Sequence, residues 1–234
     1  MALRVAFDLD GTLADMFGAL HVEATKLFGD VLVHAGGDHQ APAEAAAGRR
    51  LEDVEPRVSR LPLDDEQRAA LWRRVARIPN FWMTLAEIEP GSLQRLAAVA
   101  TERRWEVIFL TTRPTVAGAT TQVQSQQWLE QQGFRGASVF VVRRSRGRIA
   151  DALELDAVVD DRPENCVDVA LESKAHSILV RRGSETNPLR GAGNLGVRVV
   201  ASVAEAMALL EKIDDSKRGT RVTRQIRKLF GQKD

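Results

Sequence analysis

The sequence predicts an α/β fold: a parallel sheet with helices on both faces and a helical insertion after the first strand. Three observations lead there. Short, near-continuous apolar segments alternate with helical patterns along most of the 234 residues, as strands buried on both faces of a parallel sheet require. One long stretch, residues 16–89, shows helical periodicity and almost no strand signal. The residue types able to do chemistry cluster where the apolar segments end, which in such folds is the ligand-binding edge.

The first segment, Leu3-Arg-Val-Ala-Phe-Asp8, is apolar, partly β-branched and runs into Gly11, so it reads as a buried strand ending in a turn. The insertion follows. Phe17–Phe28 and Asp65–Ile78 have amphipathic spacing and are joined by an Ala/Gly-rich, weakly patterned segment around residues 35–48. Placed after the first strand, it would lie above the carboxyl ends of the strands, so residues 16–89 are read as a cap. Further strands are expected at Glu106–Leu110, Ser138–Val142, Ala157–Asp160, Ser177–Val180 and Val197–Val200. Helices are expected at Val116–Gln132, at Pro163–Ser173 with proline at its start, and from the capping box Ser202–Glu205 to about Ile213. The expected division is a core of residues 1–15 and 90–213, the cap, and a basic C-terminal tail or helix, 214–234.

Composition narrows the classes. Apolar residues make up 44% and charged residues 28%, ordinary for a globular chain and unlike a disordered one. No apolar run approaches the roughly 18 residues of a transmembrane helix. The net charge of +1 hides a tail with seven Lys/Arg against three Asp. The body is near neutral, so no nucleic-acid surface is expected there. The tail carries Val222, Ile226, Leu229 and Phe230 at helical spacing among basic residues, a pattern for contact with a partner or surface, or for docking on its own domain. A single cysteine, Cys166, excludes an internal disulfide and a thiolate zinc cluster. With Asp8 interrupting any signal-peptide core, a cytoplasmic setting is expected.

The chemistry concentrates at three strand ends. In Phe7-Asp8-Leu9-Asp10-Gly11-Thr12 two carboxylates two residues apart can point into one crevice. As close neighbours they would repel, and the pair suits a Mg²⁺-type cation or a nucleophile with an acid/base partner. Thr111-Thr112-Arg113-Pro114 places hydroxyl and backbone donors after the strand at 106–110, as phosphate-oxygen donors or as a helix cap. Asp160-Asp161-Arg162-Pro163 adds two more carboxylates.

Together these residues resemble the haloacid dehalogenase (HAD) superfamily of phosphohydrolases, with a Rossmann-like sheet. Asp8-Leu-Asp10-Gly-Thr is similar to its first motif, Thr111 to its second and Asp160-Asp161 to its fourth. The resemblance implies that Asp8 attacks phosphorus to form an aspartyl-phosphate. It implies that Asp10 protonates the leaving oxygen and then activates water. Mg²⁺ would be held by Asp8, the main-chain carbonyl of Asp10, and Asp161, with Asp160 close by. Within the superfamily, Ile78-Pro-Asn-Phe81-Trp82 through Gly91, and Val158–Pro163, resemble the 5'(3')-deoxyribonucleotidases, which implies a nucleotide substrate. Phe81 and Trp82 would then line a base pocket, the alternative being that they pack cap against core. The chain departs from the superfamily at its third motif, which normally supplies a lysine. Arg143-Arg-Ser-Arg146-Gly-Arg148 stands there instead, with Arg148 preferred over Arg146 as the substitute cation; a solvated basic loop is the other reading. A sugar phosphate or other small organophosphate is the alternative substrate. A catalytically weak phosphate- or nucleotide-binding module is the alternative class.

Two other patterns carry less. Gly191-Ala-Gly193-Asn-Leu-Gly196 spells a dinucleotide fingerprint but precedes an expected strand, the wrong context. His34, Asp38 and His39 fall in the weakly patterned stretch and read as a solvated loop.

Overall fold

All six predicted strands form, each within one residue of its expected bounds: β1 (Arg4–Asp8), β2 (Glu106–Thr111), β3 (Ser138–Val141), β4 (Ala157–Asp160), β5 (His176–Val180) and β6 (Arg198–Val200). The structure, a computed structural model, describes residues 2–29, 61–182 and 195–229, with side chains as far as residue 219. The strands make one parallel sheet in the order β3-β2-β1-β4-β5-β6. β4 is buried at all four positions and β5 at four of five. Since successive side chains point to opposite faces, both faces of the central sheet are covered, as the unbroken apolar runs anticipated. The chain builds outward from β1 through β2 to β3, then from β4 through β5 to β6. The order therefore reverses where β1 and β4 pair, with Phe7 opposite Val159. Asp8 and Asp160 are the next residues on those two strands.

Two compact units divide the chain. One comprises Met1–Phe7, Arg95–Val107 and Ser145–Asp234. In it α5 (Arg146–Ala152) approaches α6 (Pro163–Glu172) so closely that a Cβ on Gly147 would lie 2.1 Å from the Asp168 carbonyl oxygen. Only glycine fits there. Helix α7 (Val203–Leu229) opens as expected, with Ser202 Oγ accepting from Glu205 N (3.1 Å). It does not stop near Ile213 but continues into the basic segment. The reason is Asp214, which points inward, 3% exposed. It accepts from Trp105 Nε1 (2.9 Å) and Arg218 Nε (3.0 Å). Lys217 pairs with Asp156, so two of the basic residues fold back on this unit.

The other unit comprises Asp8–Gln94 and Ile108–Arg144. Its helices α1 (Met16–Phe28) and α2 (Asp65–Ala76) fall where the amphipathic spacing put them. Asp15 caps α1, and Asp64 with Gln67 forms a capping box on α2. Buried Glu23 on α1 joins the two helices through Arg74 Nε (2.6 Å). Burial favours its neutral form, but Lys26 and Arg74 outweigh that and hold Glu23 below the usual carboxylate range. The helix expected from Val116 starts later, as α4 (Thr121–Gln131). Gly118 has φ +97° and Asn80 Oδ1 accepts from Ala119 N (2.9 Å), which fixes residues 117–119 as a turn. Helix α3 (Ser92–Arg103) leads into β2. No helix among the described residues is long and apolar enough to cross a membrane.

Candidate active site

Leu9 is fully buried and its N–H donates to Leu110 O (3.3 Å). The residues on either side of it, Asp8 and Asp10, project away from that core. Gly11 (φ +89°) turns the chain, and Leu13 and Ala14 N–H groups close on Leu9 O. The motif is thus a strand end clamped by its own turn.

Asp10 is held firmly. Its carboxylate accepts from Arg113 Nε at 2.9 Å on each oxygen, faces Arg113 Nη2 at 2.8 Å, and accepts from Thr111 Oγ1 at 3.1 Å. Arg113 was not foreseen as a site residue. It is 2% exposed and caged. Its Nη1 donates to Ser125 Oγ (3.0 Å), and its guanidinium lies 5.0 Å from the Trp82 ring centroid and 5.7 Å from that of Trp128. Trp82 Nε1 donates to Pro114 O (3.0 Å) and Trp128 Nε1 to Leu85 O (2.8 Å), so both rings are themselves fixed. The available signal was an arginine directly following the two threonines at a strand end. Such a residue lies on the same edge as the aspartates.

On the first unit, Asp160 ends β4, accepting from Arg162 N (2.7 Å) and Asn165 Nδ2 (2.8 Å). Arg146, buried at the start of α5, brings Nε to 3.6 Å from Asp160 Oδ2. Arg148 does not come to the site. Its side chain is 71% exposed and faces Glu172 (3.5 Å). Of the two candidate cations, Arg146 is thus the one buried beside Asp160, and Arg148 lies at the surface. The cause is helical: residues two apart point about 200° away from each other, and Gly147 packs on α6 so that Arg146 and Ala150 face inward.

Asp8, Asp160 and Asp161 are all buried, and each offers a carboxylate oxygen within 4.8 Å of the others'. Like charges this close repel unless a cation compensates them. An all-oxygen set suits a hard divalent ion of the Mg²⁺ class. The side chain of Asp10 is not part of this group; it belongs to Arg113 and Thr111.

No family model matches the chain, and no curated protein does. Solved structures do. A HAD family hydrolase from Deinococcus radiodurans R1, solved with bound phosphate and sodium, is 17% identical over 90% of this chain and 96% of its own, with a TM-score of 0.52. The fold is that of the HAD hydrolases. CbbY from Rhodobacter sphaeroides, solved with phosphate, is 17% identical over 88% of this chain and 96% of its own, with a TM-score of 0.44. A haloacid dehalogenase-like hydrolase from Xanthomonas campestris is 14% identical over 92% and 97%, with a TM-score of 0.45.

Within this HAD fold the remaining expected site residues divide. Thr111 is at the strand end but its hydroxyl proton points to Asp10. Thr112, beside it, is half-buried. Phe81 and Trp82 do not form an open stacking surface. They sit in a 3₁₀ turn (Phe81–Met83), both buried and edge-to-face at 5.1 Å, and Trp82 is fully enclosed. Of the two readings of this pair, lining a base pocket or packing within the protein, burial fits the second: their faces are covered by the protein, Trp82 by Arg113. His34, Asp38 and His39 lie outside the described residues, as do Phe230 and the glycine-rich run through residue 194. Gly196 leads into β6, as expected.

Proposed function

We propose that the protein is a metal-dependent phosphomonoesterase that works through an aspartyl-phosphate on Asp8. The observation that carries this is the buried grouping of Asp8 with Asp160 and Asp161, two residues from a second, separately held carboxylate, Asp10. In the first half-reaction an oxygen of Asp8 bonds to phosphorus as the bond to the leaving oxygen breaks, and Asp10 gives that oxygen a proton. In the second, water bonds to phosphorus, Asp10 takes its proton, and the bond to Asp8 breaks to release phosphate. Asp8, Asp160, Asp161 and the Asp10 carbonyl would hold Mg²⁺, which when bound offsets phosphate charge. Arg146 is the proposed cation of the third motif, and Thr111 and Thr112 are the proposed donors to phosphate oxygens. Phosphate-monoester hydrolysis without a catalyst is so slow that these groups must lower the barrier by roughly 20 kcal/mol. The helices of 16–89 are the proposed cap, and a reducing, cytoplasmic compartment the proposed setting.

The proposed substrate is a small organic phosphate. The nucleotide reading rests on the likeness of 78–91 and 158–163 to deoxyribonucleotidases. Burial of both candidate stacking rings favours a sugar phosphate, which needs neither. A panel of nucleoside monophosphates and sugar phosphates, assayed for phosphate release with Mg²⁺ and with chelator, decides. Metal-dependent release supports the reading. Binding of phosphate with no release from any of them leaves a binding module instead.

A further inference from the structure

We propose that Arg113 is the positioning residue for Asp10, fixing this carboxylate for proton transfer; the inference rests on the phosphatase reading above. A general acid works only when its oxygen is held within hydrogen-bond reach of the reacting atom. Asp10 lies between the end of β1 and the turn that begins at Gly11. Arg113 constrains its side chain. Its planar fork meets both oxygens of Asp10, with Nε at 2.9 Å from each and Nη2 at 2.8 Å from one.

The surroundings show that this fork is built to stay still. Ser125 Oγ accepts from Nη1 and donates in turn to Thr121 O (2.8 Å). Trp82 and Trp128 enclose the guanidinium, and each ring is anchored by its indole N–H. Gln124 ties the Trp82 backbone N–H (3.2 Å) to α4, which also carries Ser125 and Trp128. A buried guanidinium loses its hydration and is tolerated when its partner is well placed. Here the partner is Asp10. Thr111 adds a second restraint on the same carboxylate and receives Arg113 N (3.2 Å) in turn. The three residues therefore form one unit, Asp10–Thr111–Arg113, inside a single compact part of the chain. Lysine would place a point charge where a planar, two-oxygen grip is needed.

The test is a double-mutant cycle on the full chain, with Arg113→Met, Asp10→Asn and both together, assayed on a sugar phosphate and on an activated aryl phosphate. Methionine fills the space between the indoles, and circular dichroism with urea unfolding checks that each variant folds. Arg113→Met is expected to lower kcat on the sugar phosphate about a hundredfold with KM changed less than threefold. On the aryl ester, whose leaving group needs no proton, the first turnover should stay fast and produce a burst, because only the later attack by water slows. The double variant should be no slower than Asp10→Asn alone, and Arg113→Lys should recover part of the rate. Equal and independent losses in the two backgrounds, or a rise confined to KM, would overturn the role. If the unaltered protein releases no phosphate from any substrate, the phosphatase reading falls and takes this role with it. If that protein is active and the cycle is additive, the role of Arg113 falls alone.

Discussion

Replacing Trp82 separates a core residue from a substrate-stacking one. The ring is fully enclosed, packs edge-to-face on Phe81 and lies over the Arg113 guanidinium. Trp82→Ala should therefore cost about 3–5 kcal/mol through lost burial and a cavity. That is a large share of the roughly 5–15 kcal/mol that holds a domain together. Trp82→Phe is the cleaner change. It keeps an aromatic ring over Arg113 but loses the indole bond to Pro114 O, which retains Thr121 Oγ1 at 3.2 Å. The carbonyl is not orphaned, so the loss should be about 1–2 kcal/mol. Urea unfolding measures it, with the slope unchanged and the midpoint lowered. The ratio of kcat/KM for a nucleoside monophosphate to that for a sugar phosphate should stay constant. Unchanged stability together with a KM rise for nucleotides alone would refute the placement of Trp82 in the core.

Arg146→Met should weaken phosphate binding, read as a raised KM on any substrate, whereas Arg148→Ala should leave both KM and the unfolding midpoint where they are. Gly147→Ala forces α5 away from α6, because the new methyl would meet Asp168 O at 2.1 Å and Glu172 Cβ at 2.7 Å. The expected cost is about 1–3 kcal/mol, while Gly219→Ala, with nothing within 4 Å, should be neutral or slightly stabilising by the same unfolding assay. Burial pushes the Asp214 carboxyl up from its ordinary 3.8, but Trp105, Arg218 and Arg103 outweigh it and hold it lower in the folded protein. The stability it contributes is then fully present above the ordinary carboxylate range and lost as pH falls through the lowered value. Unfolding followed against pH should show Asp214→Asn and the unaltered protein converging only below about pH 4.

The strands were legible because a parallel strand buried on both faces leaves an unmistakable apolar run, as at Ala157–Asp160 and Ser177–Val180. The aspartates were legible because the residues sit at the ends of those runs. What escaped was decided by packing across the sequence. Arg113 joins Asp10 from 103 positions away, and nothing local marks its direction. Arg146 and Arg148 look alike as members of a basic loop; only a short helix with Gly147 against α6 sends one inward and the other out. Helix α7 overran its expected end because Asp214, a polar residue that usually marks a surface, is bonded to Trp105 far upstream. Phe81 and Trp82 stay open in the sequence between a ligand surface and internal packing, because an aromatic pair near a site suits either purpose and only burial separates them.

The most direct experiment traps the enzyme during turnover. The protein is mixed with a substrate found active in the panel, with Mg²⁺, quenched in acid within one turnover and digested for mass spectrometry. The expected result is a hydroxylamine-sensitive phosphoryl group on the peptide containing Asp8, absent in Asp8→Asn and in chelator. Turnover that proceeds with no labelled peptide, or with the label on another residue, would contradict the assignment of Asp8 as the nucleophile.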